Sequence, residues 1–128
     1  MMKEILYLKK TKNKGRAVFA KRRIPANSII EVSPVIVLST KDREHIDKTL
    51  LHDYIFEWGE RKIKCAMALG YIAMYNHSYE NNCEYHMDYE TEMITIKSIR
   101  KIDKDEELTI NYNGDREEPH ELWFSVKK

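Results

Sequence analysis

The stretch CAMALGYIAM, residues 65–74, runs without a break into YNHSYENN, residues 75–82. This junction constrains the fold more than any other part of the chain. A ten-residue apolar run has to be buried. The segment directly behind it brings Asn76, His77, Ser78, Asn81 and Asn82 with it, and amides taken into an interior need hydrogen-bond partners. More apolar core cannot supply them.

The 128 residues make one domain, 1–128, and an apolar fraction of 42% is enough for one core. Charged residues are 34% of the chain, yet the net charge is only +1, so global charge favours neither a polyanion nor a polycation as partner. The two halves have opposite sign. Residues 1–64 hold 15 Lys and Arg against 8 Asp and Glu, and residues 65–128 hold 7 against 13. Solvated faces explain this as well as a charged partner does.

The two cysteines, Cys65 and Cys83, form no CxxC pair, and the five histidines show no HExxH. No structural zinc or other metal is expected. The reduced cysteines and the lack of a signal sequence lead us to expect a cytoplasmic protein, with export to a host left open. No apolar run reaches the roughly 20 residues of a membrane span. The GxGxxG, GxxxxGKS and GxSxG patterns are all missing, which removes the commonest nucleotide-binding and hydrolase classes.

Period and punctuation predict a mainly β chain with short helices. ILYL reads as a first strand, NKG as a turn and RAVFAKR as its partner strand. IIEV and VIVL read as two strands broken at Ser33-Pro34. Ser39 or Thr40 is placed to cap one helix through KDREHIDKTLL, with Ile46 and Leu50 four apart. DYIFEW, if extended, puts Tyr54, Phe56 and Trp58 on one face. AMALGYIAM suits a short helix or a strand equally. CEYHMD and MITIKSI read as a hairpin across YETE, DKDE as a turn and ELTINY as a last strand, followed by the polar stretch NGDREEPHE and an apolar LWF.

Three of these stretches resemble, in order, the motifs of one family. NKGRAVFA is similar to a Gly-x-Gly turn followed by Val-Phe-Ala. YNHSYENN is similar to Asn-His-Ser-Cys-x-Pro-Asn, and DEELTINY to Gly-Glu-Glu-Leu-Thr-x-x-Tyr. Together they resemble the SET domain of protein lysine methyltransferases. The likeness spans about residues 3 to 126 and is nearest the minimal bacterial and viral kind without zinc-binding flanks. Three departures stand out. Ala17 replaces the second glycine, Tyr79 and Asn81 replace the cysteine and proline, and Asp105 replaces the glycine before the paired glutamates. If the Ala17 position needs a positive φ, its methyl costs about 1 kcal/mol or more.

The resemblance implies a β-clip-like fold of several small sheets with a C-terminal pseudoknot. It implies transfer of a methyl group from S-adenosyl-L-methionine to the ε-amine of a lysine in a protein substrate, leaving S-adenosyl-L-homocysteine. In-line transfer from a sulfonium needs alignment rather than a metal or a protein nucleophile. By resemblance, Tyr112 lies at the methyl being transferred, and Tyr54 and Ile110 line the lysine channel with it. Lys14, Gly15, Arg16 and Ala17 hold the carboxylate end of the cofactor, Asn76 holds its amino-acid end, His77 pairs with the adenine through its backbone, and Trp123 or Phe124 covers the adenine. Glu106 and Glu107 are expected to support the fold rather than act as acid or base.

Each residue read alone allows a plainer role. Asn76 also suits a helix cap, His77 a satisfied core histidine, and Tyr54 and Tyr112 ordinary packing. The competing class is an inactive SET-like peptide-binding module, or an RNA binder using the eight basic residues between Lys9 and Arg23. Phe19 is the one aromatic in that run, so stacking on bases is poorly supported and nucleic acid is disfavoured. The acidic second half favours a target lysine in a basic, histone-like segment. The oligomeric state is open, with a homodimer allowed.

Overall fold

The computed structural model describes residues 2–112. Two curled sheets share one core. A short helix α1 (Met2–Ile5) leads into β1 (Leu6–Lys10), which turns back as β2 (Arg16–Ala20). These two strands belong to a four-stranded sheet in the order β1-β2-β9-β6, with β6 at Asn76–His77 and β9 at Glu107–Ile110. The five-stranded sheet runs β4-β5-β3-β8-β7, with β3 Ile29–Leu38, β4 Phe56–Trp58, β5 Lys64–Ala68, β7 Cys83–Asp88 and β8 Met93–Ser98. Every pairing is antiparallel except β6 with β9, which is parallel. Leu6, Val18, Ile72, Ile94, Ile96 and Leu108 are buried where the sheets meet.

Local rules explain most of these elements. β8 alternates strictly, with Ile94, Ile96 and Ser98 turned inward. Its hairpin with β7 closes at Asp88, whose Oδ1 accepts from the N–H groups of Glu90 and Thr91 at 3.0 and 3.1 Å. The ambiguous stretch after Ile63 turns out to be two things in succession: β5, then a 3₁₀ turn over Ile72–Met74.

Three expectations need correction. The two strands anticipated around Pro34 are one ten-residue strand. The break lies in the pairing instead: residues up to Pro34 pair with β8, and Val35 onward pair with β5. Proline, which lacks an N–H, sits where the strand changes partner. The helix α2 (Thr40–Ile46) is capped by Ser39, whose Oγ accepts from Asp42 N at 3.1 Å, but it stops before Leu50. Leu50 instead opens a separate 3₁₀ turn, Leu50–Asp53, capped by Thr49, and is 77% exposed. Phe56 and Trp58 are buried as anticipated, but Tyr54 ends that 3₁₀ turn and lies outside the strand, 36% exposed.

The family's glycine positions are resolved individually. Gly15 has φ +70 with open space where a side chain would start, so conformation alone asks for glycine there. Ala17 is an ordinary strand residue, buried and paired with Lys9, and pays no left-handed cost. Asp105 does hold the left-handed conformation, with φ 67. Aspartate tolerates it better than most residues. Its carboxylate also accepts from Tyr7 Oη at 2.9 Å.

Asn82 fixes β9. Its side chain is 1% exposed, its Nδ2 donates to the Glu107 carbonyl at 2.8 Å and to Glu106 Oε2 at 3.1 Å, and its Oδ1 accepts from Thr109 N at 2.9 Å. Asn82→Ala leaves two buried backbone groups of β9 without partners, and we expect a loss of about 2 kcal/mol or more. Urea unfolding measures it. A loss within the roughly 0.5 kcal/mol of an ordinary surface change would show that Asn82 does not hold the strand.

Candidate active site

β9 delivers Tyr112 to the segment at 75–77. The hydroxyl of Tyr112 donates to the Tyr75 carbonyl at 2.7 Å, and its backbone N–H donates to His77 Nδ1 at 2.9 Å. With its proton directed at Tyr75, the phenol oxygen has only lone pairs to offer elsewhere. Burial pushes the hydroxyl well above the ordinary tyrosine value, and Tyr54, Asp53, Glu107 and Tyr85 add to the shift. It is therefore a neutral phenol at ordinary pH, suited to accepting weak hydrogen bonds and not to acting as a base.

Asn76 and the turn at Gly15 meet across Glu107. Asn76 Nδ2 donates to Glu107 Oε2 at 2.9 Å, and Lys14 Nζ lies 3.8 Å from Glu107 Oε1. The turn itself is closed by Thr11. Its Oγ1 accepts from Lys14 N at 2.9 Å and donates to the Gly15 carbonyl at 2.7 Å. An amide, a carboxylate and an ammonium thus converge. That donor set fits the charged amino and carboxylate groups of an amino-acid head. Arg16 is exposed at the start of β2, beside this turn. The pairing of Asn76 with Glu107 gives Glu107 a place in the site that sequence reasoning had assigned to fold support alone.

His77 adds a second mark. Its Nδ1 accepts, so the proton belongs on Nε2. That atom is buried with no partner among the described residues. Burial also holds the imidazole below its usual pKa, so the ring is neutral. The Tyr79 ring, which stands where the family pattern has cysteine, meets the His77 ring edge to face at 4.4 Å. Among the described residues β6 is the outer strand of its sheet, so one backbone edge of Asn76–His77 faces away from β9. An orphaned ring donor and an outward backbone edge fit a purine.

The other expected residues divide. Tyr54 lies near enough to the Tyr112 hydroxyl to raise its pKa, in keeping with a shared channel. Ile110 is fully buried in the core cluster. Trp123 and Phe124 lie outside the described residues. Tyr85 was missed. It faces Tyr112, its Oη donating to the Tyr112 carbonyl at 3.3 Å, and its ring packs on Phe56. The alternation of CEYHMD makes it an inward candidate, but nothing local links it to residue 112. Tyr75 was missed as well, because its contribution is a backbone carbonyl.

The SET-domain family model matches residues 15–113. The chain is 38% identical over 120 residues to the histone-lysine N-methyltransferase, H3 lysine-37 specific, of Schizosaccharomyces pombe, covering 93% of this chain and 76% of that protein. A candidate histone methyltransferase of Plasmodium falciparum superposes with a TM-score of 0.65 at 28% identity, over 88% of this chain and 96% of the other. A humanized mutant of the Chaetomium thermophilum Polycomb Repressive Complex 2, bound to the inhibitor GSK126, shares the fold with a TM-score of 0.67 at 20% identity, over 87% of this chain and 15% of that one. The strand-rich fold is one shared with known methyltransferases of this class. The chain belongs to the SET-domain family and is a protein-lysine methyltransferase. Family members use S-adenosylmethionine. The curated relative is fungal, so it lends no support to a bacterial or viral subtype.

The buried imidazole generates a pH prediction. Its folded pKa lies below the unfolded 6.5, so the unfolded chain binds the proton first as pH falls. His77 therefore contributes stability that is fully present above about pH 6.5 and is lost toward its folded pKa. His77→Asn retains an acceptor for Tyr112 N–H and removes the titration. Thermal melts at pH 7.5 and 5.5 should show a smaller acid loss in the variant than in the parent. Equal losses would mean that His77 is not a buried neutral ring.

Proposed function

We propose that this enzyme methylates a lysine in a basic, histone-like protein segment with S-adenosylmethionine as donor, and that Tyr112, Tyr54, Asn76 and the Lys14–Ala17 turn do the work. When bound, the cofactor supplies a sulfonium methyl to the amine lone pair and departs as the neutral thioether S-adenosylhomocysteine.

The observation that carries this reading is the Tyr112 hydroxyl pinned to the Tyr75 carbonyl at 2.7 Å. That bond fixes the phenol rotor and leaves the oxygen to act toward other groups only as an acceptor. Such an oxygen can accept a polarised C–H or an amine N–H, each a weak contact. Asn76, Glu107 and Lys14 fit the charged ends of the cofactor head. His77 and the outer edge of β6 fit the adenine, with Trp123 or Phe124 as its cover.

Two lines support the substrate class. The curated fungal relative acts on histone H3. In this chain Asp53 and Glu107 stand close enough to Tyr112 to act on it electrostatically, and carboxylates there favour a cationic approach.

Calorimetry in the presence of chelator should show S-adenosylmethionine binding, and its absence would end this reading. Tyr112→Phe should bind cofactor and unfold like the parent but turn over at least ~10-fold more slowly, about 1.4 kcal/mol of transition-state stabilisation. An unchanged rate would remove Tyr112 from catalysis.

Product multiplicity is a separate expectation. Ile110 stands two residues before Tyr112, where a hydroxyl-bearing side chain would restrain the amine, and isoleucine has no such group. A peptide with one lysine, followed by mass spectrometry to exhaustion, should pass monomethyl-lysine and reach higher states. Arrest at one methyl would refute the role given to Ile110.

A further inference from the structure

Glu31 is the third residue of β3 and is 5% exposed, yet every hydrogen-bond partner it has among the described residues is a neutral donor. Its Oε2 accepts from Ser33 Oγ at 3.0 Å and from Tyr71 N at 2.8 Å, and its Oε1 accepts from Tyr75 Oη at 3.1 Å. Burial lifts the carboxyl pKa, and these donors pull part of it back. Burying a carboxylate without a cation is costly, and an apolar residue on β3 would avoid the cost.

The bonds show what the carboxylate achieves. All but one cross from β3 to the segment at 70–75. Gly70, with φ +66, opens that segment, and a Cβ there would collide with Glu31 Oε2 and come within 2.7 Å of Ser33 Oγ. The segment is therefore seated on Glu31 at Tyr71 through backbone and at Tyr75 through its side chain. Tyr75 is fully buried, and its carbonyl is the acceptor for the Tyr112 hydroxyl at 2.7 Å. One residue links the anion to the phenol: Glu31 grips the far end of the Tyr75 side chain, and the Tyr75 backbone grips Tyr112.

We propose that Glu31 is a positioning residue for methyl transfer, acting through Tyr75 to set where the Tyr112 hydroxyl points. The inference rests on the role proposed for Tyr112. It assigns Glu31 no contact with either substrate. A brace for the fold alone would affect stability and the folded fraction. A brace for the hydroxyl also affects the rate of the chemical step in correctly folded, saturated enzyme.

Tyr75→Phe is the decisive variant, since it keeps the ring and the carbonyl and removes only the tether. At a temperature where circular dichroism shows it folded, kcat should fall about three- to ten-fold. KM for S-adenosylmethionine and for a histone peptide should stay within about two-fold, the signature of an interaction used in the transition state rather than in binding. Glu31→Ala should lower kcat similarly. Glu31→Gln should restore most of that loss, because its amide oxygen can accept from Tyr71 and Ser33 while its NH₂ donates to the Tyr75 hydroxyl. The double variant Glu31→Ala/Tyr75→Phe should be no slower than the worse single one, since both break one link. Glu31→Ala risks failing to fold, and Tyr75→Phe tests the inference without it.

Tyr112→Phe, assayed alongside, separates the two readings. If Tyr112→Phe is slow and Tyr75→Phe keeps the parent kcat, or changes only KM or melting temperature, the positioning role is overturned. If Tyr112→Phe is as fast as the parent, the assignment of Tyr112 fails first, and the role of Glu31 fails with it.

Discussion

The placement of β9 is the constraint on which the rest of the structure depends. This four-residue strand pairs antiparallel with β2 on one side and parallel with β6 on the other. It therefore joins the Gly15 turn to the Asn76–His77 segment and carries Tyr112 out between them. So short a strand cannot hold its register by ladder bonds alone. The Asn82 amide grips it at Glu107 and Thr109, and the Ser78 N–H donates to the Ile110 carbonyl at 2.9 Å. Polar groups directly behind an apolar run, which look misplaced in the sequence, are the groups that β9 needs.

The site has little acid–base capacity. Tyr112 is held as a neutral phenol and His77 as a neutral imidazole, both mainly by burial. The Cys83 thiol is pushed up to about 12 by burial and is no nucleophile. Glu107 meets Asn76 and Lys14, and among the described residues Glu31 meets neutral donors. An enzyme whose donor already carries its leaving group gains most from orientation, and these buried polar contacts restrict rotation.

The departures from the family's motifs follow from backbone conformation. Ala17 is accepted because its position is extended strand, and Asp105 is accepted because aspartate tolerates a left-handed φ and finds Tyr7 there. Gly15 and Gly70 are held by different needs, one by conformation in open space and the other by conformation together with the Glu31 carboxylate. Tyr79 in place of cysteine lays a ring against His77, the one imidazole with a buried unpartnered nitrogen among the described residues.

Several local signals were legible in the sequence by itself. Turn and strand signals located β2 and the β7–β8 hairpin, Ser39 was one of two cap candidates for α2, and three ordered motifs pointed to the family. Pairing was not legible. Whether Pro34 ends a strand or marks a change of partner depends on β5 and β8, and Leu50 opens a separate turn capped by Thr49. Tyr75, Tyr85, Glu31 and Asn82 had no readable role, because each acts on a residue 25 to 44 positions away. Periodicity and motifs report what a residue is and what stands beside it in the chain. Which carbonyl meets a hydroxyl across that distance is decided only when the sheets close, because burial then leaves each polar group no other partner.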